Sequence, residues 1–178
     1  MNILRLLVPG FFLDEGAVQL VLQSFANLYN QLTPKHQQSL RIYIVEEPTS
    51  FNSIRALSKK MLLTKAVEPI SRLEIDKVKR AYKESDFFIY MSTQNQYRII
   101  TEALQYDLPL LVLETDVTKD ILDISCGMLV ENGADSEIIK DCTEKMEMLF
   151  FDREVCKYLK KGAIKKRRLI FGQSRITT

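Results

Sequence analysis

His36 and the three cysteines are the residue types that most often carry chemistry, but their setting here argues against it. His36 is the single histidine and lies in the polar stretch Thr33–Ser39, where it reads as a solvated loop residue. Cys126, Cys142 and Cys156 are odd in number, far apart and without metal-ligand spacing, so they read as reduced thiols of a cytoplasmic protein. A cluster of cations, Lys157, Lys160, Lys161, Lys165, Lys166, Arg167 and Arg168, crowds the last helical stretch. It is either a solvated face near a helix C-terminus or a surface for peripheral contact with anionic lipid. The usual phosphate and nucleophile motifs are missing. There is no Walker loop, no G-x-G-x-x-G after the first apolar run and no G-x-S-x-G. Six glycines in the whole chain leave no glycine-rich cradle.

The elements that must position any site alternate along the chain. Apolar runs predict strands over Ile3–Pro9, Leu40–Val45, Ala66–Ile70, Phe87–Met91, Pro109–Leu113 and Gly127–Val130. Helical periodicity falls between them: Gly16–Leu32, a helix capped by Thr49 or Ser50 and running to about Leu62, and Leu73–Lys83 behind the capping-box spacing Ser71 to Glu74. Gln96–Tyr106, a short helix near Lys119–Leu122, and two closing helices, Ser136–Leu149 and Arg153–Leu169, complete the set, the last two with Asp135 and Asp152 as caps. Alternation with continuously apolar strands implies a parallel sheet covered on both faces. The expected fold is therefore α/β, a single Rossmann-like domain over residues 1–178 with about six parallel strands. In such sheets ligands bind beyond the carboxyl ends of the strands. That nominates the loops Pro9–Gly16, Glu46–Ser50, Ile70–Leu73, Ser92–Gln96 and Glu114–Thr118.

Bulk properties fit one soluble domain. The chain has 178 residues, 46% hydrophobic and 27% charged, and a net charge of +2 that argues for no nucleic-acid partner. The longest apolar runs are too short to span a bilayer, and the first five residues lack a signal-peptide pattern.

The stretch from Ala81 to Val130 carries a resemblance. Ala81 to Ser92 resembles the segment of family-4 (group 1) glycosyltransferases in which a helix ends, an acidic residue follows and a buried strand ends at Ser. Glu102-Ala103 followed by Asp107-Leu108-Pro109 and an apolar strand resembles that family's Glu-Ala, Gly-x-Pro and strand, and Gly127 to Val130 its last glycine-containing strand. The resemblance implies the donor-binding, C-terminal half of a two-domain GT-B enzyme. Such a half holds a nucleotide-sugar without a metal cofactor and works against an acceptor domain, in polysaccharide biosynthesis or similar transfer. It nominates Glu102, at the start of the Glu-Ala helix, for the ribose hydroxyls, since a carboxylate can accept two hydrogen bonds from adjacent hydroxyls. It nominates Gln94, Ser92, Thr93, Gly10 and Glu15 for the rest of the donor. Departures accompany it. Gln94 stands where the family has a sugar-binding Glu, Gly10 and Glu15 where it has an Arg and a Lys for the diphosphate, and Asp107 where it has Gly. Lys119 or Arg98 could replace a lost cation, each reading otherwise as a solvated helix residue. The second expectation is therefore a non-catalytic interaction module that keeps the fold and binds a protein partner.

Overall fold

The six apolar runs become β1 (Leu4–Val8), β2 (Leu40–Glu46), β3 (Val67–Ser71), β4 (Phe87–Tyr90), β5 (Leu110–Leu113) and β6 (Gly127–Val130), in a computed structural model that describes residues 3–172. Every pairing is parallel, and the order is β3-β2-β1-β4-β5-β6. β4 and β5 are buried at every residue, as unbroken apolar strands must be when helices cover both faces. Pro69 sits in β3, an edge strand, where its missing N–H costs no ladder bond.

The helices are α1 (Glu15–Gln31), α2 (Pro34–Gln37), α3 (Phe51–Lys60), α4 (Ile75–Glu84), α5 (Gln96–Gln105), α6 (Asp116–Ile121), α7 (Asp135–Phe151) and α8 (Arg153–Phe171). α1, α3 and α7 pack on one face through Phe25, Ile54 and Met146. α4 and α5 pack on the other through Tyr82 and Ile100. α8 serves both, with Leu159 in the first cluster and Ala163 in the second. Its close seating depends on Gly162, where a Cβ would stand 1.7 Å from the backbone oxygen of Ser125.

Several local expectations are corrected. The stretch Thr33–Ser39 is not all loop: Thr33 caps α2 by accepting from the His36 N–H, and Pro34 opens the helix. The Ser71 capping box does not form. Ser71 ends β3, its hydroxyl accepts from Leu73 N–H at 3.2 Å, and α4 starts later with no side-chain cap. Ser50 precedes α3 without a capping bond. The residue before α7 is Ala134 rather than Asp135, and Glu137 reaches back to its N–H at 2.9 Å. Asp152 caps α8 as expected, accepting from Glu154 and Val155 N–H.

Arg167 corrects the reading of the basic helix. It is 2% exposed, and its Nε donates to Asp107 Oδ1 at 2.6 Å. It faces inward and cannot belong to a lipid-facing surface. Asp107 in turn holds a left-handed backbone, φ 59°, the conformation a glycine adopts freely and other residues adopt at a cost. The carboxylate that anchors α8 is what this position gains in exchange.

Candidate functional site

The strand order reverses between β1 and β4, so a crevice opens where their carboxyl ends diverge. Two loops frame it. The first leaves β1 through Pro9, makes a 3-10 turn over Gly10–Phe12, and ends at Asp14, whose Oδ1 accepts from Ala17 N–H at 2.7 Å to cap α1. The second runs from Met91 to Asn95 and enters α5. Tyr90, fully buried, ties them together. Its hydroxyl donates to the Gln94 carbonyl at 2.7 Å and lies 3.3 Å from the Phe12 carbonyl. Burial raises the Tyr90 pKa, with the Ser92 hydroxyl opposing the shift, so it stays a neutral donor.

The N-termini of the two helices at the crevice differ. α1 is capped by Asp14 and begins with Glu15, so its orphan N–H groups and positive dipole are already met by carboxylates. α5 has no side-chain cap and no acid in its first turn; Asn95 precedes it with φ 51°. Its first residue, Gln96, is 3% exposed and binds inward. Nε2 donates to the carbonyls of Ser92 and Leu113, and Oε1 accepts from the Thr115 hydroxyl. Gln96 thus joins the carboxyl ends of β4 and β5. Arg98, one helical step further, lays its guanidinium 5.1 Å from the Phe12 ring centre, a cation–π contact that places a positive charge between the two loops.

Beside this, a cavity of about 490 Å³ lies between α1 and α3, with Glu15, Glu46, Ser53 and Lys60 among its lining residues. Glu46 lines it, with Gly10 packed behind the Glu46 side chain. A Cβ on Gly10 would meet the Glu46 carboxylate, so the two residues share this space closely. Glu46 is 5% exposed, and burial pushes its pKa up, with the neighbouring Glu47 charge adding to the rise and the Glu47 backbone bond opposing it.

The sequence-nominated residues separate into two groups. Gly10, Ser92, Thr93 and Gln94 meet at the crevice, and Glu15 stands at its α1 side; Thr93 and Gln94 are exposed, while Ser92 is buried with its hydroxyl accepting from Gln94 N–H at 3.2 Å. Glu102 stands further along α5. It is not at the start of its helix but six residues beyond Gln96, about 9 Å along the axis. Its Oε1 accepts from the Tyr82 hydroxyl at 2.6 Å, and the Tyr106 ring stacks 4.5 Å from that of Tyr82. Burial, then the Glu102 charge, holds Tyr82 far above the ordinary tyrosine range. Of the two replacement cations, Lys119 is paired with Glu114 at 2.5 Å, and Arg98 is the one drawn to the crevice. Sequence reasoning passed over Tyr90; Glu46 and Gln96 lie at the ends of nominated loops but were not singled out. Only Glu46 had a local signal, two adjacent acids closing an apolar strand. Among the described residues no three His, Cys, Asp or Glu side chains cluster as metal ligands. No helix among the described residues is long and apolar enough to cross a membrane.

The architecture defines a class. The chain has the fold of the C-terminal, Rossmann-like domain of GT-B glycosyltransferases. No protein-family model and no curated protein sequence matches it, but solved structures do. The pneumococcal O-GlcNAc transferase GtfA, solved with UDP and GlcNAc, superposes with a TM-score of 0.77 at 11% identity, over 95% of this chain and 33% of GtfA. The C-terminal domain of the group 1 glycosyl transferase LpcC from Francisella tularensis gives 0.68 at 14% identity over 98% of this chain and 87% of that domain. Sucrose-phosphate synthase from Thermosynechococcus elongatus gives 0.70 at 13% identity, over 96% of this chain and 42% of the synthase. The chain therefore spans a third to under half of the larger glycosyltransferases it resembles.

Proposed function

We propose that the chain is the donor-binding half of a family-4-type glycosyltransferase, and that it holds a nucleoside diphosphate sugar at the β1–β4 crevice. The observation that carries this reading is the N-terminus of α5. It is uncapped by any side chain and free of acids, and it opens at the switch point beside Arg98. Backbone N–H groups and a guanidinium there suit a phosphate. The Ser92–Gln94 loop supplies hydroxyls and an amide for a sugar. Glu102 reaches the ribose only if its second oxygen is shared, since Tyr82 holds the first. The acceptor half is a second Rossmann-like domain, and the exposed cations of α8, Arg167 excepted, give the pair a face for an anionic membrane carrying a lipid-linked acceptor.

Calorimetry against nucleoside mono- and diphosphates tests it. A diphosphate should bind, and Arg98→Ala should weaken it by about 1–3 kcal/mol, the scale of a charge-assisted hydrogen bond; Glu102→Ala should cost a similar amount. Glu15→Lys should favour the diphosphate over the monophosphate by ~1–2 kcal/mol, a gain that shrinks as salt rises. If no nucleotide binds at all, the reading fails. The second reading, a module that kept the fold and lost the site, then stands. It is favoured by Glu46 and Glu15, two carboxylates lining the cavity where the resemblance leads one to look for cations.

A further inference from the structure

At the opposite, amino edge of the sheet a cavity of about 400 Å³ lies between the starts of β1 and β4 and the first half of α8. Ile3 and Phe87 line its apolar side. Arg153, Cys156, Lys157, Lys160 and Lys161 line the α8 side, and Asp86 the sheet side. Three- and four-residue steps bring these four cations onto one face of α8.

One carboxylate faces them. Asp86 accepts through Oδ2 from the Arg5 N–H at 2.8 Å. Burial raises its pKa, opposed by that backbone bond and by the charges of Arg153, Arg5 and Lys160. The other acids nearby are engaged: Glu154 pairs with Lys157 at 2.7 Å on the exposed flank, and Asp107 is held by Arg167. Lys160 is half-buried and makes no ion pair or hydrogen bond among the described residues. Burial lowers its pKa, while the more distant Asp107 and Asp86 charges support it. A partly desolvated ammonium without a partner is unfavourable until an anion joins it.

We propose that this pocket binds a phosphate group, with Lys160 as its inner contact and Arg153, Lys157 and Lys161 closing around it. The apolar side formed by Ile3 and Phe87 accommodates a small organic substituent. The phosphate comes either from a soluble phosphomonoester or from the headgroup of an anionic phospholipid; the exposed Lys165 and Arg168 further along α8 extend the positive field past the pocket. The proposal does not depend on glycosyl transfer, because pocket and crevice lie at opposite edges of the sheet.

Titration of the full chain with inorganic phosphate and with glycerol phosphate, followed by calorimetry, reads the soluble source. Flotation with phosphatidylcholine vesicles containing phosphatidic acid reads the lipid source. Lys160→Met should weaken whichever occurs at least tenfold, with circular dichroism confirming an intact fold. Asp86→Asn keeps an acceptor for the Arg5 N–H and removes the opposing charge, so it should tighten binding by about fivefold at low salt. Lys59→Met, which removes one exposed charge from α3 and touches neither cavity, should leave phosphate binding unchanged. Phosphate binding with no vesicle binding assigns a soluble ligand, and the reverse assigns a headgroup. The proposal is overturned if neither probe binds, or if binding survives Lys160→Met unchanged and follows only the total charge of α8.

Discussion

Two acids show what the surroundings of a single side chain decide. Glu46 has a raised pKa because it is buried without a counter-ion. The native state therefore binds its proton more tightly than the unfolded chain, whose glutamates titrate near about 4.3. Wild type consequently loses stability as pH rises from that value through the raised native one. Glu46→Gln should be more stable than wild type at pH 8, with the gain vanishing below about pH 4. Urea midpoints at the two pH values check this, and a pH-independent difference would mean that Glu46 is solvated. Asp107 is the opposite case, a charge with a partner. Asp107→Gly relieves the left-handed backbone but removes the carboxylate to which the buried Arg167 Nε donates. Losing one member of a buried pair costs about 3–5 kcal/mol and the relief returns about 1–2, so the variant should lose roughly 2 kcal/mol. Adding Arg167→Met should restore most of it. A stable single variant would show that the ion pair is dispensable. Neither environment was legible in the sequence. Arg167 sits in a run of cations and reads as solvated; what buries it is a carboxylate 60 residues away. The helix itself was legible, since α5 begins at Gln96 as its periodicity predicts; Glu102 therefore falls inside it, and the start position came only from the resemblance.

Strands were easier to read than caps. Phe87–Tyr90 and Leu110–Leu113 are unbroken apolar runs, and burial on both faces leaves such runs no other stable place. Caps depend on which of several nearby oxygens reaches an N–H, and tertiary packing decides that. Ser71 had the right spacing, but strand pairing with Glu46 fixed its backbone in β3. The seating of α8 is likewise a matter of elements. Gly162→Ala would normally raise helix propensity by about 1 kcal/mol. Here the added methyl meets a backbone oxygen that no side-chain rotation can move. Overpacking of this kind costs about 1–3 kcal/mol or more, so the melting temperature should fall by several degrees. The same substitution at an exposed helical position, such as Ser53→Ala, should leave it within about 1 °C. A stabilised Gly162→Ala would mean that α8 sits further from Ser125 than the structure has it.

At the scale of the molecule, a sheet of six parallel strands was foreseeable from strand–helix alternation, though not their order, and with it the edge at which a ligand would bind. The inventory of that edge was only partly so: Arg98 was named as a candidate cation, but the roles of Tyr90 and Gln96 in joining its loops appear only when segments distant in sequence are brought together. If donor binding is this chain's part in a transfer reaction, the purified chain with a nucleotide-sugar and a simple acceptor should show no transfer above the uncatalysed rate. Turnover by the chain alone would refute the two-half reading. The placement of β1 has a further outcome, in time rather than space. β1 is central, and the contact that closes its second edge, from Arg5 to Asp86, spans 81 residues. A ribosome adding about 5–20 residues per second takes roughly 4–16 s to supply that much chain. Through that interval β1, apolar at four of its five residues, is paired on one side at most, with a bare row of N–H and C=O groups on the other. Nascent chains stalled before Phe87 should therefore be strong clients of chaperones that shield strand edges. Those released after β4 has emerged should have little need of them.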